Sequence, residues 1–199
     1  MGTGNQRPRE SRAVILEEHR ALAAVLHGLR FLVRRVREGG RKPDFPVLRA
    51  MLHYIDTFPE KEHHPREDRY LFSRVRLRTH EVDAALDDLE AEHVRGAEMI
   101  RHLEQGLLRF EQGGGEYLEP FATAVEAYCD FHWQHMRKEE DVILPAAERV
   151  LTDADWAELN AAFAGKANPL GGVQAHQDFD QLFREIVKLA PPPIGVGPE

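Results

Sequence analysis

Cysteine occurs once in the 199 residues, at Cys129, so the chain has no intrachain disulfide and no thiolate set for a structural zinc. A lone thiol inside an apolar run reads as a small core residue. Positive charge is also in short supply: 26 lysines and arginines face 34 acidic residues, and the net charge is -8. The arginines alternate with acids instead of forming a stripe, which argues against nucleic acid and against an anionic membrane surface as partners. No apolar run approaches the roughly 20 residues that span a bilayer, and Met1 to Glu10 carries no apolar stretch of a signal peptide. A soluble, cytoplasmic protein is the expectation. Alternating β-branched patterns are scarce, and glycine and proline cluster only between long periodic stretches, so almost no sheet is expected.

What is abundant is helical periodicity. Val14, Leu16, Leu22, Val25, Leu26, Leu29, Leu32, Val33 and Val36 form a stripe from about Arg12 to Arg37 that stops at Gly39-Gly40. A second helix follows Pro43-Asp44 through Leu48, Leu52, Ile55 and Phe58 to about Arg78. Pro59 and Pro65 lie inside it and predict a kink or a short interruption, because an interior proline costs a helix about 3 kcal/mol. A third helix, about Glu81 to Glu111, ends at Gly113-Gly114-Gly115, and a fourth runs from about Tyr117 toward Val150, bent near Pro145. Thr152-Asp153-Ala154-Asp155 reads as the cap of a short helix through Trp156, Leu159 and Phe163, closed by the loop at Asn168 to Gly172. An amphipathic segment from His176 to Leu189 completes the pattern. The expected fold is all-α, an antiparallel up-down-up-down four-helix bundle with short C-terminal accessory helices. One domain covers residues 1–190, with a core at about 11–150, accessory helices at about 153–190 and a mobile tail at 191–199.

Histidine occurs eleven times, mostly inside these helices, where it has no propensity advantage over alanine or leucine. Two segments echo each other: His63-His64-Pro65-Arg66-Glu67-Asp68 and His135-Met136-Arg137-Lys138-Glu139-Glu140. In both a histidine precedes a glutamate by four, a spacing that stacks the two side chains on one helix face about 5 to 6 Å apart. A further histidine, His19 or His93, precedes each pair at a similar distance, so the chain is two similar hairpins. Docked with pseudo-twofold symmetry, they would bring His19, His63, Glu67, His93, His135 and Glu139 to one level of the core. Two divalent ions there would repel, and a glutamate from each side that bridges both would supply negative charge and hold their separation. Imidazole with carboxylate suits iron first, then manganese or zinc. A single histidine-glutamate pair is usually only a solvated surface contact; its repetition at matching positions is what favours metal.

These residues resemble the hemerythrin-like, or HHE cation-binding, family in the order histidine, HxxxE, histidine, HxxxE. Supporting likenesses are Glu18-His19, the run from His63 to Phe72, Glu92-His93, and the run from His135 to Pro145. The resemblance implies a non-haem di-iron centre with bridging glutamates that binds, senses or reacts with dioxygen, peroxide or nitric oxide. A peroxide- or nitric-oxide-consuming activity, a sensor or regulatory module, and a metal store all remain open at this point, and no protein partner is indicated. The oxygen-carrying hemerythrins look to carry a second histidine one turn after the first in the third helix, where this chain has Ala97 beside Gly96, leaving one metal a ligand short.

The other histidines receive plainer readings. His64 neighbours His63 and is a candidate extra ligand, but adjacent residues point about 100° apart on a helix, so it is not counted in the set of six. His53 and His132 either stand behind the ligands or simply pack. His27, His80, His102 and His176 read as surface or boundary residues. Tyr70 reads as a core tyrosine before a partner for a metal-bound ligand, and Leu22, Ala23 and Leu26 as core before cavity wall.

Overall fold

A computed structural model of the protein describes residues 10–39, 42–164, 184 and 186–188, and among these residues there is no strand. Helix α1 (Glu10–Arg37) buries Ile15, His19, Leu22, Leu26, Leu29 and Val33 along one stripe. An imidazole thus occupies a place in the series where an aliphatic side chain would otherwise sit. Arg34, Arg35 and Arg37 fill the last turn, where unpaired carbonyls favour positive charge. Gly39 then takes φ 71°, the left-handed conformation that closes helices.

The next rod consists of α2 (Phe45–Thr57), α3 (His64–Arg66) and α4 (Ser73–Arg78), joined by π-helical turns at Pro59–His63 and Glu67–Phe72. Asp44 caps α2 by accepting a hydrogen bond from the Val47 N–H at 3.1 Å. The interruption expected at Pro59 and Pro65 takes the form of these wide turns. A proline nitrogen cannot donate to the carbonyl four residues back, and the surrounding amides bond five back instead: His63 N–H to the Phe58 carbonyl, His64 N–H to that of Pro59.

Helix α5 (Asp83–Gly113) ends where Gly114 adopts φ 80°. Helix α6 (Leu118–Lys138) passes through a third π-helical turn, Glu139–Ile143, into α7 (Leu144–Val150), whose second residue is Pro145. The two repeated segments are therefore alike in backbone as well as sequence: in each a π-helical turn begins at the glutamate of the pair, Glu67 or Glu139. Helix α8 (Asp153–Phe163) starts at the expected cap, Thr152, whose side chain and that of Asp155 close a reciprocal capping box. Arg78 holds the Asp155 carboxylate with two bonds of 2.9 and 3.0 Å, tying α4 to α8. Of the segment expected as a helix from His176 to Leu189, Arg184 and residues 186–188 are helical, and Ile186 is buried in the core. The rest of it, the loop at 168–172 and the tail at 191–199 lie outside the described residues.

Helix α1 packs on α6 and α2, and α5 packs on the same two. The apolar side chains fall into two clusters. One holds Leu26, Leu29, Leu52, Ile55, Leu103 and Tyr128; the other holds Ile15, Phe72, Leu86, Leu89, Ile143 and Phe163. Each fully buried aliphatic chain contributes about 1.5–3 kcal/mol, which fits the length of the stripes. The divide between the clusters matches a change of chemistry in every long element: Ile15 and Leu22 flank His19, Leu89 and Ile100 flank His93, Phe58 and Leu71 flank His63 to Glu67. A polar layer thus crosses an otherwise apolar interior. Among the described residues no helix is long and apolar enough to cross a membrane.

Candidate metal centre

That layer brings together all six residues singled out by the repeat. His19, His63, Glu67, His93, His135 and Glu139 are each at least nine-tenths buried, and Glu67 has no exposure at all. Helix α1 supplies His19, the π-turn rod His63 and Glu67, α5 supplies His93, and the junction of α6 with its π-helical turn supplies His135 and Glu139. Their polar atoms divide into two compartments. In one, His63 Nε2 lies 3.2 Å and His19 Nε2 3.8 Å from Glu67 Oε1, with His19 Nε2 also 3.1 Å from Glu139 Oε2. In the other, His135 Nε2 lies 3.2 Å and His93 Nε2 3.6 Å from Glu139 Oε1, with His93 Nε2 3.8 Å from Glu67 Oε2. Each glutamate gives one oxygen to each compartment.

None of these four Nε2 atoms or four carboxylate oxygens has a hydrogen-bond partner, though all are buried. Leaving a buried polar group unsatisfied costs about 1–3 kcal/mol, so such a concentration of them in one layer calls for a ligand that all could share. A cation is the species that imidazole nitrogens and carboxylate oxygens have in common. His19, His63, Glu67 and Glu139 form one group with a donor atom from each within 4.8 Å of the others; His64, His93 and His135 form a second.

The far nitrogens are all occupied. Nδ1 of His19 lies 2.8 Å from Glu140, that of His63 2.7 Å from Glu18, that of His93 2.8 Å from Asp68 and that of His135 3.0 Å from Glu92. A carboxylate only accepts, so in each case Nδ1–H donates and Nε2 is left to face inward. The pattern follows the repeat: Glu18 and Glu92, one residue before the lone histidines, hold the histidines of the HxxxE pairs. Asp68 and Glu140, one residue after the glutamates, hold the lone histidines of the opposite hairpin. Aromatic rings close in from outside, with Phe72 stacked on His93 at 5.6 Å and Phe131 on His135 at 6.3 Å.

Without an ion the layer balances its charge with protons. Burial alone would lower the His19 pKa, yet Glu139, Glu140 and Glu67 hold it well above the ordinary value. Burial likewise opposes His93 and His135, but Asp68 and Glu139 carry the first to about 10, and Glu139 and Glu92 carry the second to about 9. Burial and the neighbouring Glu139 push Glu67 up; His63 and His19 outweigh them and bring it down to about 2.

Several contributors were not legible from the repeat. His64 is 3 % exposed and joins the second group instead of pointing away. Its Nδ1 lies 3.3 Å from Glu60 Oε2, and burial pushes its pKa down to about 3. Glu60 itself is buried, accepts the Tyr128 hydroxyl at 2.9 Å and lies 3.5 Å from His132 Nε2. His132 therefore stands behind the centre, whereas His53 is exposed on a surface groove with Arg49, Leu52 and Glu104. His27, His80 and His102 are exposed as expected, and His176 lies outside the described residues. Tyr70 packs on the second apolar cluster, and Leu22, Ala23 and Leu26 belong to the first. Cys129 is a buried free thiol.

Compared with known proteins, the chain matches a family model, the hemerythrin HHE cation binding domain, over residues 11–147. No curated protein and no solved structure matches it.

Proposed function

The chain belongs to the hemerythrin HHE cation-binding family, and on that premise we propose that it is a non-haem di-iron protein that binds and reacts with a small oxidant or nitric oxide. The helix contacts fit an antiparallel up-down-up-down arrangement of four long elements, with α8 and the residues near Ile186 as additions. His19 and His63 would hold one ion and His93 and His135 the other, with Glu67 and Glu139 each offering one oxygen to either side. The observation that carries this reading is the division of both carboxylates, each with one unpartnered oxygen turned toward either pair of imidazoles. A single ion would need only one oxygen from each.

Iron is preferred over manganese or zinc because the donors are imidazole and carboxylate without thiolate. When bound, the iron pair would supply redox change and an open position for a dioxygen, peroxide or nitric oxide ligand. The chain's own part is to orient and to exclude. The four Nδ1–carboxylate bonds fix each imidazole plane and tautomer, and the apolar clusters on both sides keep bulk water from the layer.

Anaerobic titration of the full chain with iron(II), followed by metal analysis and admission of air, tests the reading. Two equivalents of iron and a new oxo-to-iron absorption band on oxidation are expected. Uptake of one equivalent or none would overturn it. Peroxide and nitric oxide consumption by the loaded protein, absent from a Glu67→Gln variant, would separate turnover from storage.

A further inference from the structure

We propose that His64 is a seventh protein ligand, completing the coordination of the ion held by His93 and His135, and that Glu60 is the carboxylate that positions it. The inference rests on the two-ion reading above.

A nitrogen of His64 lies within 4.8 Å of donor nitrogens of both His93 and His135. The rings are in contact, stacked on His93 at 4.3 Å between centroids and edge-on to His135 at 5.3 Å. With Nδ1 directed to Glu60, Nε2 is the nitrogen left to meet a metal. His19, His63, His93 and His135 divide their nitrogens the same way but more tightly, with Nδ1 hydrogen-bonded to a carboxylate at 2.7–3.0 Å, whereas His64 Nδ1 approaches Glu60 at 3.3 Å without completing a hydrogen bond. His132 turns its Nε2, not its Nδ1, to Glu60.

The backbone explains how two consecutive histidines serve two ions. His63 ends the first π-helical turn and His64 begins α3, so the pair straddles a change of helical register. His63 looks forward to Glu67 and His64 looks back to Glu60, each by four residues. Helix α5 makes the room. One turn after His93 it has Ala97, which offers no donor, and beside it Gly96. A Cβ on Gly96 would lie 3.1 and 3.4 Å from the two Glu60 oxygens and 3.5 Å from the His132 ring. The bare backbone of α5 is therefore what lets Glu60 sit behind His64. Tyr128 and His132 hold the Glu60 carboxylate in turn. The two sets of donors are then unequal, three imidazoles and two carboxylate oxygens against two and two, so the His19/His63 side would be the one left open to a small exogenous ligand.

Counting imidazoles on the loaded protein decides the matter. The full chain is filled anaerobically with cobalt(II), a paramagnetic probe for the iron site, and its proton NMR spectrum is compared in H2O and D2O. Each histidine bound through Nε2 contributes one strongly shifted, exchangeable Nδ1–H signal. Five such signals are expected for the wild type, and fewer for His64→Ala, in which the ion at His93 and His135 should bind more weakly. Glu60→Gln should keep all five signals and weaken that same ion by about 10- to 100-fold. A wild type that takes up two ions and shows four signals overturns the proposal and leaves the two-ion reading standing. A wild type that takes up fewer than two ions removes that reading itself. Far-UV circular dichroism identifies a variant that does not fold, and the wild-type count then decides alone.

Discussion

Metal uptake by this protein should expel protons, and their number follows from the layer's electrostatics. In the metal-free chain His93 titrates at about 10 and His135 at about 9, and His19 and His63 are also raised. At pH 7 His19, His93 and His135 carry a second proton, held there by Glu139, Glu140, Glu67, Asp68 and Glu92, and the raised His63 adds to the count. A metal accepts only the neutral ring, so filling both sites at pH 7 should release about three to four protons. His64, pushed down to about 3, is already neutral and releases none. By linkage, the overall affinity for two ions should rise with pH by up to about four orders of magnitude per unit near pH 7, then flatten as pH passes 9 and 10. Calorimetric titration with cobalt(II) or zinc(II) in buffers of different ionisation enthalpy counts the protons directly. Release of fewer than two at pH 7 would refute the argument, since the carboxylates would then be balanced by something other than imidazolium. The same shifts set the stability of the metal-free protein. A histidine whose pKa rises on folding stabilises fully below its unfolded value near 6.5, and the contribution is lost as pH climbs through the folded value. Thermal melts of the metal-free chain should therefore fall between about pH 6.5 and 10, and those of the loaded protein should not.

Glu92→Gln removes the charged acceptor on His135 Nδ1 while keeping its shape, and should weaken metal binding by about 10- to 100-fold in a competition titration with a chelator. Unchanged affinity would mean that the imidazole is held by packing alone. Tyr128→Phe deletes a buried hydroxyl bonded to a carboxylate and should cost about 2 kcal/mol in chemical denaturation; a loss below about 0.5 kcal/mol would show the bond to be replaceable by water. Leu26→Ala, in the apolar cluster away from the ligands, should cost about 2–5 kcal/mol yet leave two equivalents of metal bound to the folded fraction.

The residues around the centre divide by how far apart their causes lie along the chain. Thr152 with Asp155, Gly39 and Gly114 act within one turn, and a reader of the sequence meets cap and breaker side by side. The histidine-glutamate pairs are likewise local, four residues apart on one helix, and their repetition pointed to six residues that the fold does gather. Glu60 gave no such signal. It is one acid among many in a charged run, and its importance comes from Tyr128, His132 and Gly96, none of them near it in sequence. His64 was set aside because neighbouring residues on a regular helix point apart. That premise failed where the hydrogen bonds shift to the wider register beside the prolines and both rings are buried, each in a different group of donors.

Periodic apolar residues and paired donors are properties of a single helix, so the order of residues alone was enough to announce an all-helical chain with a band of metal-binding side chains across it. How many donor side chains gather in each half of that band depended on which helix backbone came close to which carboxylate. Such an approach is set by packing between segments far apart in the chain, where a missing Cβ on α5 and a wide turn opposite it matter as much as any donor, and only the assembled tertiary structure decided it.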